Sequence, residues 1–405
     1  MKTRTNIVGA IWFVLKTIIL FCFVYDFIFF LLPTPLLSSR KIAYAIIVVY
    51  FLAKGYSVKP FLKNKNYSGI LLLCLFCLIY VIILNISIHG NGINAIGTYV
   101  FFILYSVFGV FLFAGFFNWD FDKLLKALAI VTVFQATWCI LTYYIWDVRL
   151  LNEVLFVIDK DENVDFLSEK RLRSIGGAGS ALSVCIALSS FSFLYYIVKG
   201  EKIALNVFLY FYCSFAVLLT GTTGLIVSIV SLTLLSFSSV KNGKRGFGFV
   251  ILTSIAIVLL FYVLGFVLDA DQFRRLTERL VGFYEDGLEN GTFENLKYQT
   301  VTGISEQTLM GTGLFRGRSE GAICFHDSGY IRNYFALGLI MAIVFYLLLY
   351  FAMLRMTRKT KQYFSLLLIF LLIVMVIEYK EPYLFYYYPF FIYNSLVLAA
   401  KNVRL

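Results

Sequence analysis

Long apolar runs separated by short polar breaks recur from one end of this chain to the other. About 20 apolar residues in helical form cross a hydrocarbon core. Runs of that kind occupy residues 10–32, 36–53, 67–87, 98–117, 125–146, 178–198, 203–219, 223–239, 247–268, 328–353, 363–379 and 384–399. The pattern predicts an all-α, polytopic integral membrane protein of about 12 transmembrane helices, folded as one domain over residues 1–405. The first run follows Lys2 and Arg4, as the apolar core of a signal peptide would. It continues from Ala10 to Leu32 with no small-residue cleavage site, so it reads as a retained span.

Two polar stretches are too long to be simple turns, and loops of more than about 12 to 15 residues in a compact protein usually carry function. Residues 147–174 are acidic in the middle (Asp159, Asp161, Glu162, Asp165) and end basic, with Lys170, Arg171 and Arg173. In residues 269–327, Phe293, Leu296, Val301, Ile304 and Leu309 recur at near-helical spacing among polar neighbours. That spacing predicts an amphipathic helix lying on the membrane face.

Composition sharpens the membrane reading. The chain is 60% hydrophobic and only 14% charged, with a mean hydropathy of +0.85. A net charge of +12 raises nucleic acid as a partner, but its distribution argues against one. With the N terminus placed in the cytoplasm, the loops on that side and the two termini hold 19 basic residues against three acids, and the opposite face holds 15 against 19 acids. The positive charge is therefore a topology signal, with both termini cytoplasmic and the two long loops external. Six of the seven cysteines fall inside apolar runs, which excludes a disulfide framework; the Cys74/Cys77 spacing reads as helix packing. The chain has no phosphate-binding P-loop and no HExxH, so neither a nucleotide nor a metal cofactor is expected.

Candidate chemistry concentrates between Gly311 and Met341, GTGLFRGRSEGAICFHDSGYIRNYFALGLIM. A glycine-rich loop passes Arg316 and Arg318, reaches His326 and Asp327, and enters an apolar helix bearing Tyr330 and Arg332. Guanidinium forks suit phosphate oxygens, and histidine is the side chain most easily used as a base near neutral pH. Cys324, two residues before His326, is an alternative nucleophile with no orienting partner visible in the sequence. His89 sits in a Gly-Asn-Gly turn and reads as a turn residue. Glu378, Lys380 and Glu381 read either as groups that orient a substrate or the histidine, or as an exposed salt-bridged turn. The Thr220-Gly221-Thr222-Thr223 turn reads as helix capping. Tyr386, Tyr387 and Tyr388 read as an interfacial belt, with sugar stacking as the alternative. Lys16 and Asp26, inside the first run and about 15 Å apart by helix rise, call for partners elsewhere in the bundle.

The segments Arg171-Leu172-Arg173-Ser174-Ile175-Gly176-Gly177 and GTG…HDSGYIRNYFALGLI, with this topology, resemble the Wzy-type O-antigen and capsular polysaccharide repeat-unit polymerases. These are similar in turn to the O-antigen ligases. The resemblance implies a GT-C-like, metal-independent inverting glycosyltransferase of the bacterial inner membrane. It would join undecaprenyl-diphosphate-linked oligosaccharides on the external face, among membrane lipids and with a chain-length regulator protein as partner. By the same resemblance His326 is the base that activates the acceptor hydroxyl. Arg173 and Arg316 are the best-matched contacts to the diphosphate, and Arg275 and Arg279 match more loosely. Arg171, Arg318, Lys297, Arg332, Tyr330 and Glu378 complete the expected substrate-binding set. Two positions depart from the family pattern: Thr223 and Lys297 stand where many members carry arginine. The alternatives are a ligase, which transfers the finished glycan to lipid A core, and a flippase of lipid-linked oligosaccharide.

Overall fold

The computed structural model describes residues 2–28, 37–57, 63–87, 93–156, 173–175, 177–240, 262, 299–319 and 322–401. Each apolar run carries a helix except 247–268, nearly all of which lies outside the described residues. The first helices are α1 (Lys2–Val24), α2 (Ser39–Ala53), α3 (Lys65–Ser87), α4 (Ile93–Phe116) and α5 (Phe121–Tyr144). The chain continues through the short α6 (Trp146–Leu155), α7 (Gly179–Lys199), α8 (Ile203–Thr220) and α9 (Thr222–Val240). After the five-residue α10 (Glu306–Met310) come α11 (Gly329–Leu337), α12 (Leu339–Arg358), α13 (Phe364–Ile377) and α14 (Tyr388–Ala400). Six of these helices are long and apolar enough to cross a membrane by length and composition.

Their outward faces are apolar. Leu72, Phe76, Ile79, Ile83 and Ile86 on α3, and Leu347, Leu348 and Phe351 on α12, are all exposed. Such stripes fit hydrocarbon as solvent. By contrast, α14 is buried on every side from Tyr388 to Ala399 and packs against α4, α5, α7 and α13, which makes it the core of the bundle. Serine and threonine in the helices return their hydroxyl protons to the carbonyl one turn back, as Thr132 does to Leu128 at 2.7 Å and Ser395 to Phe391 at 2.9 Å. This leaves the packing surfaces apolar. Helices α7 and α9 meet closely because Gly224 sits against the backbone of Ser183, where no side chain fits.

The charges of the first apolar run find partners, as the sequence requires. Lys16 Nζ donates to the Phe116 carbonyl and lies 5.1 Å from the Phe116 ring centroid and 5.6 Å from that of Tyr50. Asp26 pairs with Arg40 at 3.2 Å.

The apolar run over 328–353 is not one helix. It breaks at Gly338 (φ 82°, ψ 163°), and the break is filled by the loop at Gly311 (φ 95°, ψ 155°). Both glycines occupy backbone conformations essentially closed to other residues. A Cβ on Gly311 would stand 2.5 Å from the Leu337 carbonyl carbon, and one on Gly338 would stand 2.5 Å from that of Met310. The break frees the last carbonyls of α11. Thr312 N–H donates to Phe335 O at 2.9 Å and Gly313 N–H to Ala336 O at 3.0 Å, so the loop caps the helix.

Candidate functional site

Ahead of α11 a small β structure positions the histidine. Strands β1 (Arg173–Ser174) and β2 (Gly177–Ala178) pair antiparallel earlier in the chain, and here β3 (Gly317–Ser319) pairs antiparallel with β4 (Ala322–Cys324). Residues 299–302 run along the other edge of β4. Val301 bridges Cys324, Thr302 N–H donates to Ile323 O at 2.8 Å, and Phe325 N–H donates to Thr300 O at 2.7 Å. Val301 is therefore extended and not helical, and α10 is the helix among the described residues of the 269–327 loop. Phe293, Leu296, Lys297, Arg275 and Arg279 lie outside the described residues, as do Arg171 and His89.

His326 leaves β4 and is buried, 5% exposed. Its Nδ1 accepts the Ser328 N–H at 3.0 Å. Its carbonyl accepts from Arg332 Nε at 2.8 Å, and Arg332 Nη2 pairs with Asp327 at 3.1 Å. Gln299 completes the frame by donating to Asp327 Oδ2 at 2.7 Å and accepting the Asp327 N–H at 2.6 Å. The imidazole, the Asp327 carboxylate and one guanidinium thus form a rigid junction between loop and helix.

Three expected substrate contacts have different roles. Arg332 is committed to Asp327 and to the His326 carbonyl, so it orients the junction. Tyr330 turns into the bundle, donating to Met375 O at 2.7 Å with its ring 4.6 Å from that of Tyr346. Glu378 is neither exposed nor salt-bridged. It lies just past the end of α13, fully buried, accepting from Tyr346 OH at 2.9 Å and from Leu384 N–H at 2.7 Å. Desolvation outweighs these two donors and pushes its carboxyl up to about 8. Tyr99, Asn333, Tyr346 and Glu378 form one directed hydrogen-bond chain that fixes α11.

Arg316 and Arg318 are exposed on the hairpin, and the Arg316 charge reaches the Cys324 thiol. Burial raises that thiol's pKa and keeps it protonated, which removes the activation a cysteine nucleophile needs. Arg173 lies in the first hairpin beside Ser174, whose hydroxyl accepts from Gln135 of α5 at 3.3 Å.

Another group of polar side chains, which sequence alone suggests are capping and turn residues, converges at the start of α7 and α9. Lys380 Nζ donates to Thr223 Oγ1 at 2.5 Å. Ser180 Oγ donates to Glu381 Oε1 at 2.5 Å, and Tyr386 OH donates to the other oxygen at 3.3 Å. Tyr386 feels the charges of Glu381, Arg332 and Asp327 together, so this group borders the histidine junction. Its signal in the sequence is two ionisable residues beside Pro382, Lys380 and Glu381; their partners come from spans about 160 and 200 residues away.

No protein-family model, curated protein or solved structure matches this chain. Among the described residues no cluster of His, Cys, Asp and Glu is arranged to hold a metal ion.

Proposed function

We propose that the protein is a polysaccharide polymerase of the inner membrane that transfers a growing glycan from undecaprenyl diphosphate to a lipid-linked repeat unit on the external face. The observation that carries this reading is the His326–Asp327 junction. A buried imidazole stands at the point where an arginine-bearing hairpin meets an apolar helix, next to a further polar group containing a cation, a carboxylate and hydroxyls. In this reading about 12 spans place both termini in the cytoplasm. Arg316, Arg318 and Arg173 offer charge to the departing diphosphate, while Lys380, Glu381, Ser180 and Thr223 offer donors and acceptors of the kind sugar hydroxyls need.

The test is purified protein given lipid-linked repeat units extracted from source cells that lack this protein. A polymerase builds a ladder unaided, a ligase needs lipid A core, and a flippase forms no new bond. His326→Ala is expected to remove the ladder at unchanged protein level in the membrane. A full ladder from that variant would take the histidine out of the reaction.

A further inference from the structure

The two ends of α4 lie in different surroundings. Its first turns carry Tyr99, which joins the α11 network through Asn333, and its last residue, Phe116, lies about 25 Å further along by helix rise. At that far end the protein gathers positive charge. Lys16 of α1 is buried, 8% exposed, with its ammonium against the Phe116 carbonyl and 5.8 Å from the Phe117 ring centroid. Lys54, just past the end of α2, stands 5.8 Å from the Tyr50 ring centroid, which Lys16 approaches to 5.6 Å. The charges of Lys54 and Lys123, the latter on the first turn of α5, both reach Lys16.

Carboxylates do not balance this group. Asp120 pairs with Lys123 at 2.9 Å and Asp122 with Lys199 at 3.0 Å, and among the described residues neither Lys16 nor Lys54 meets a carboxylate. The Phe116 carbonyl and the aromatic rings account for one buried ammonium, as a cap on α4. They do not account for two more charges of the same sign brought towards it, which oppose one another unless an anion lies among them. A second observation says what carries that anion. On α1 and α2, which pack together, Ile18, Ile46, Val49 and Leu52 are exposed and lie on the bilayer side of the lysines. Cations at the end of an apolar stripe match an amphiphile with an anionic head.

We infer that Lys16, Lys54 and Lys123 form a binding site for the phosphate headgroup of an anionic phospholipid, whose acyl chains lie along the Ile18, Ile46, Val49 and Leu52 stripe. Under the positive-inside topology the lipid belongs to the cytoplasmic leaflet. The site stands apart from the His326 junction and does not depend on the polymerase reading.

The test is a titration of the delipidated full chain, in neutral detergent, with dioctanoyl phosphatidylglycerol, dioctanoyl phosphatidylcholine and glycerol phosphate. Adducts are counted by native mass spectrometry. Phosphatidylglycerol is expected to bind about tenfold more tightly than phosphatidylcholine, and glycerol phosphate to leave no adduct at the same concentrations. Lys16→Met is the direct variant, but it also uncaps α4, so the exposed pair Lys54→Gln/Lys123→Gln carries the test. That pair should elute as the wild type does and lose about tenfold in affinity for phosphatidylglycerol. Arg358→Gln/Lys359→Gln removes the same charge from the end of α12 and should leave that affinity unchanged. Equal losses in the two pairs would mean diffuse surface charge and no site. A wild type that binds both lipids alike would also overturn the inference, and glycerol phosphate binding as tightly as phosphatidylglycerol would remove the lipid as occupant.

Discussion

Two glycine-containing junctions in this protein resemble each other in sequence and differ in what fills them. At Gly311–Gly313 the loop is packed against the end of α11 by backbone, with carbonyls and amides of residues 309–313 and 335–338 in contact and the Thr312 hydroxyl donating to the Phe335 carbonyl. At Gly221–Thr223 the backbone is close to α7, but the side chains around it are half-exposed and polar: Thr223 meets Lys380, and Ser180 meets Glu381. The Gly311 junction has the sequence of a ligand cradle and is a structural clamp. The Gly221 junction has the sequence of a helix cap and holds the ionisable groups. Glycine marks close approach in both, but only the neighbouring side chains say whether backbone or ligand makes that approach.

The largest effect should come from the clamp. Gly338→Ala places a Cβ against Met310 and Gly311 in a conformation that excludes it, and is expected to cost about 4 kcal/mol, the upper end for a single substitution. The readout is loss of the monodisperse peak in detergent and a fall in Tm. Gly317→Ala is the control: its φ of 128° is also unusual, but nothing lies within 4 Å, so about 1 kcal/mol is expected. Equal losses at the two positions would mean that backbone strain and not packing holds the 311–338 junction.

Next comes the polar junction, where stability and activity should separate. Lys380→Ala removes a half-buried ammonium from Thr223 and is expected to lower kcat/KM about 100-fold while Tm changes by no more than about 2 °C, since a partly exposed contact of this kind stabilises little. If Tm falls as far as in Gly338→Ala with activity per folded molecule unchanged, both junctions are structural and the contrast between them is lost.

The difference in legibility has a physical origin. The helices can be read from apolar runs because lipid or core must cover every such residue, so the runs at 67–87 and 203–219 come out nearly residue for residue as Lys65–Ser87 and Ile203–Thr220. The His326–Asp327 junction is legible because a polar cluster at the edge of an apolar run is costly and therefore informative. Side-chain direction is not. Once the run over 328–353 breaks at Gly338, the helical phase of Leu339–Arg358 no longer extends to the segment that bears Tyr330 and Arg332. Tyr330 turns to Met375 and Arg332 to Asp327. Thr223 and Lys380 are 157 positions apart, and no local pattern couples them. Val301 is extended where a weak 3.6-residue spacing predicts helix, because pairing with β4, a tertiary event, overrides that spacing.

A smaller effect tests how Glu378 supports α11. Its folded-state carboxyl is raised from 4.5 to about 8, so the folded protein binds this proton more tightly than the unfolded chain does. Stability from this group is therefore full below about pH 4.5 and is lost as pH rises towards 8. Thermal unfolding of the wild type should show Tm declining across that window, and Glu378→Gln, which keeps acceptor capacity at one oxygen without a charge, should flatten the slope. A slope unchanged in the variant would assign the pH dependence to other groups.

The finest distinction lies between two arginines two residues apart. Arg316 precedes β3 and its charge reaches Cys324, two residues from His326, whereas Arg318 sits within β3 opposite Ile323. Alternation along a strand sends neighbouring odd and even positions to opposite faces, but 316 and 318 share a parity, so their distance from the histidine along the hairpin must separate them. Arg316→Ala is expected to raise KM for the lipid-linked repeat unit about tenfold, the loss of one charge-assisted hydrogen bond, and Arg318→Ala no more than about twofold. Raising ionic strength should erase the small Arg318 effect before the Arg316 effect, because an exposed charge acting at longer range is screened before one in contact. Equal effects from both substitutions would make the hairpin a diffuse cationic surface, and the diphosphate contact would then belong to Arg173 or to Lys380.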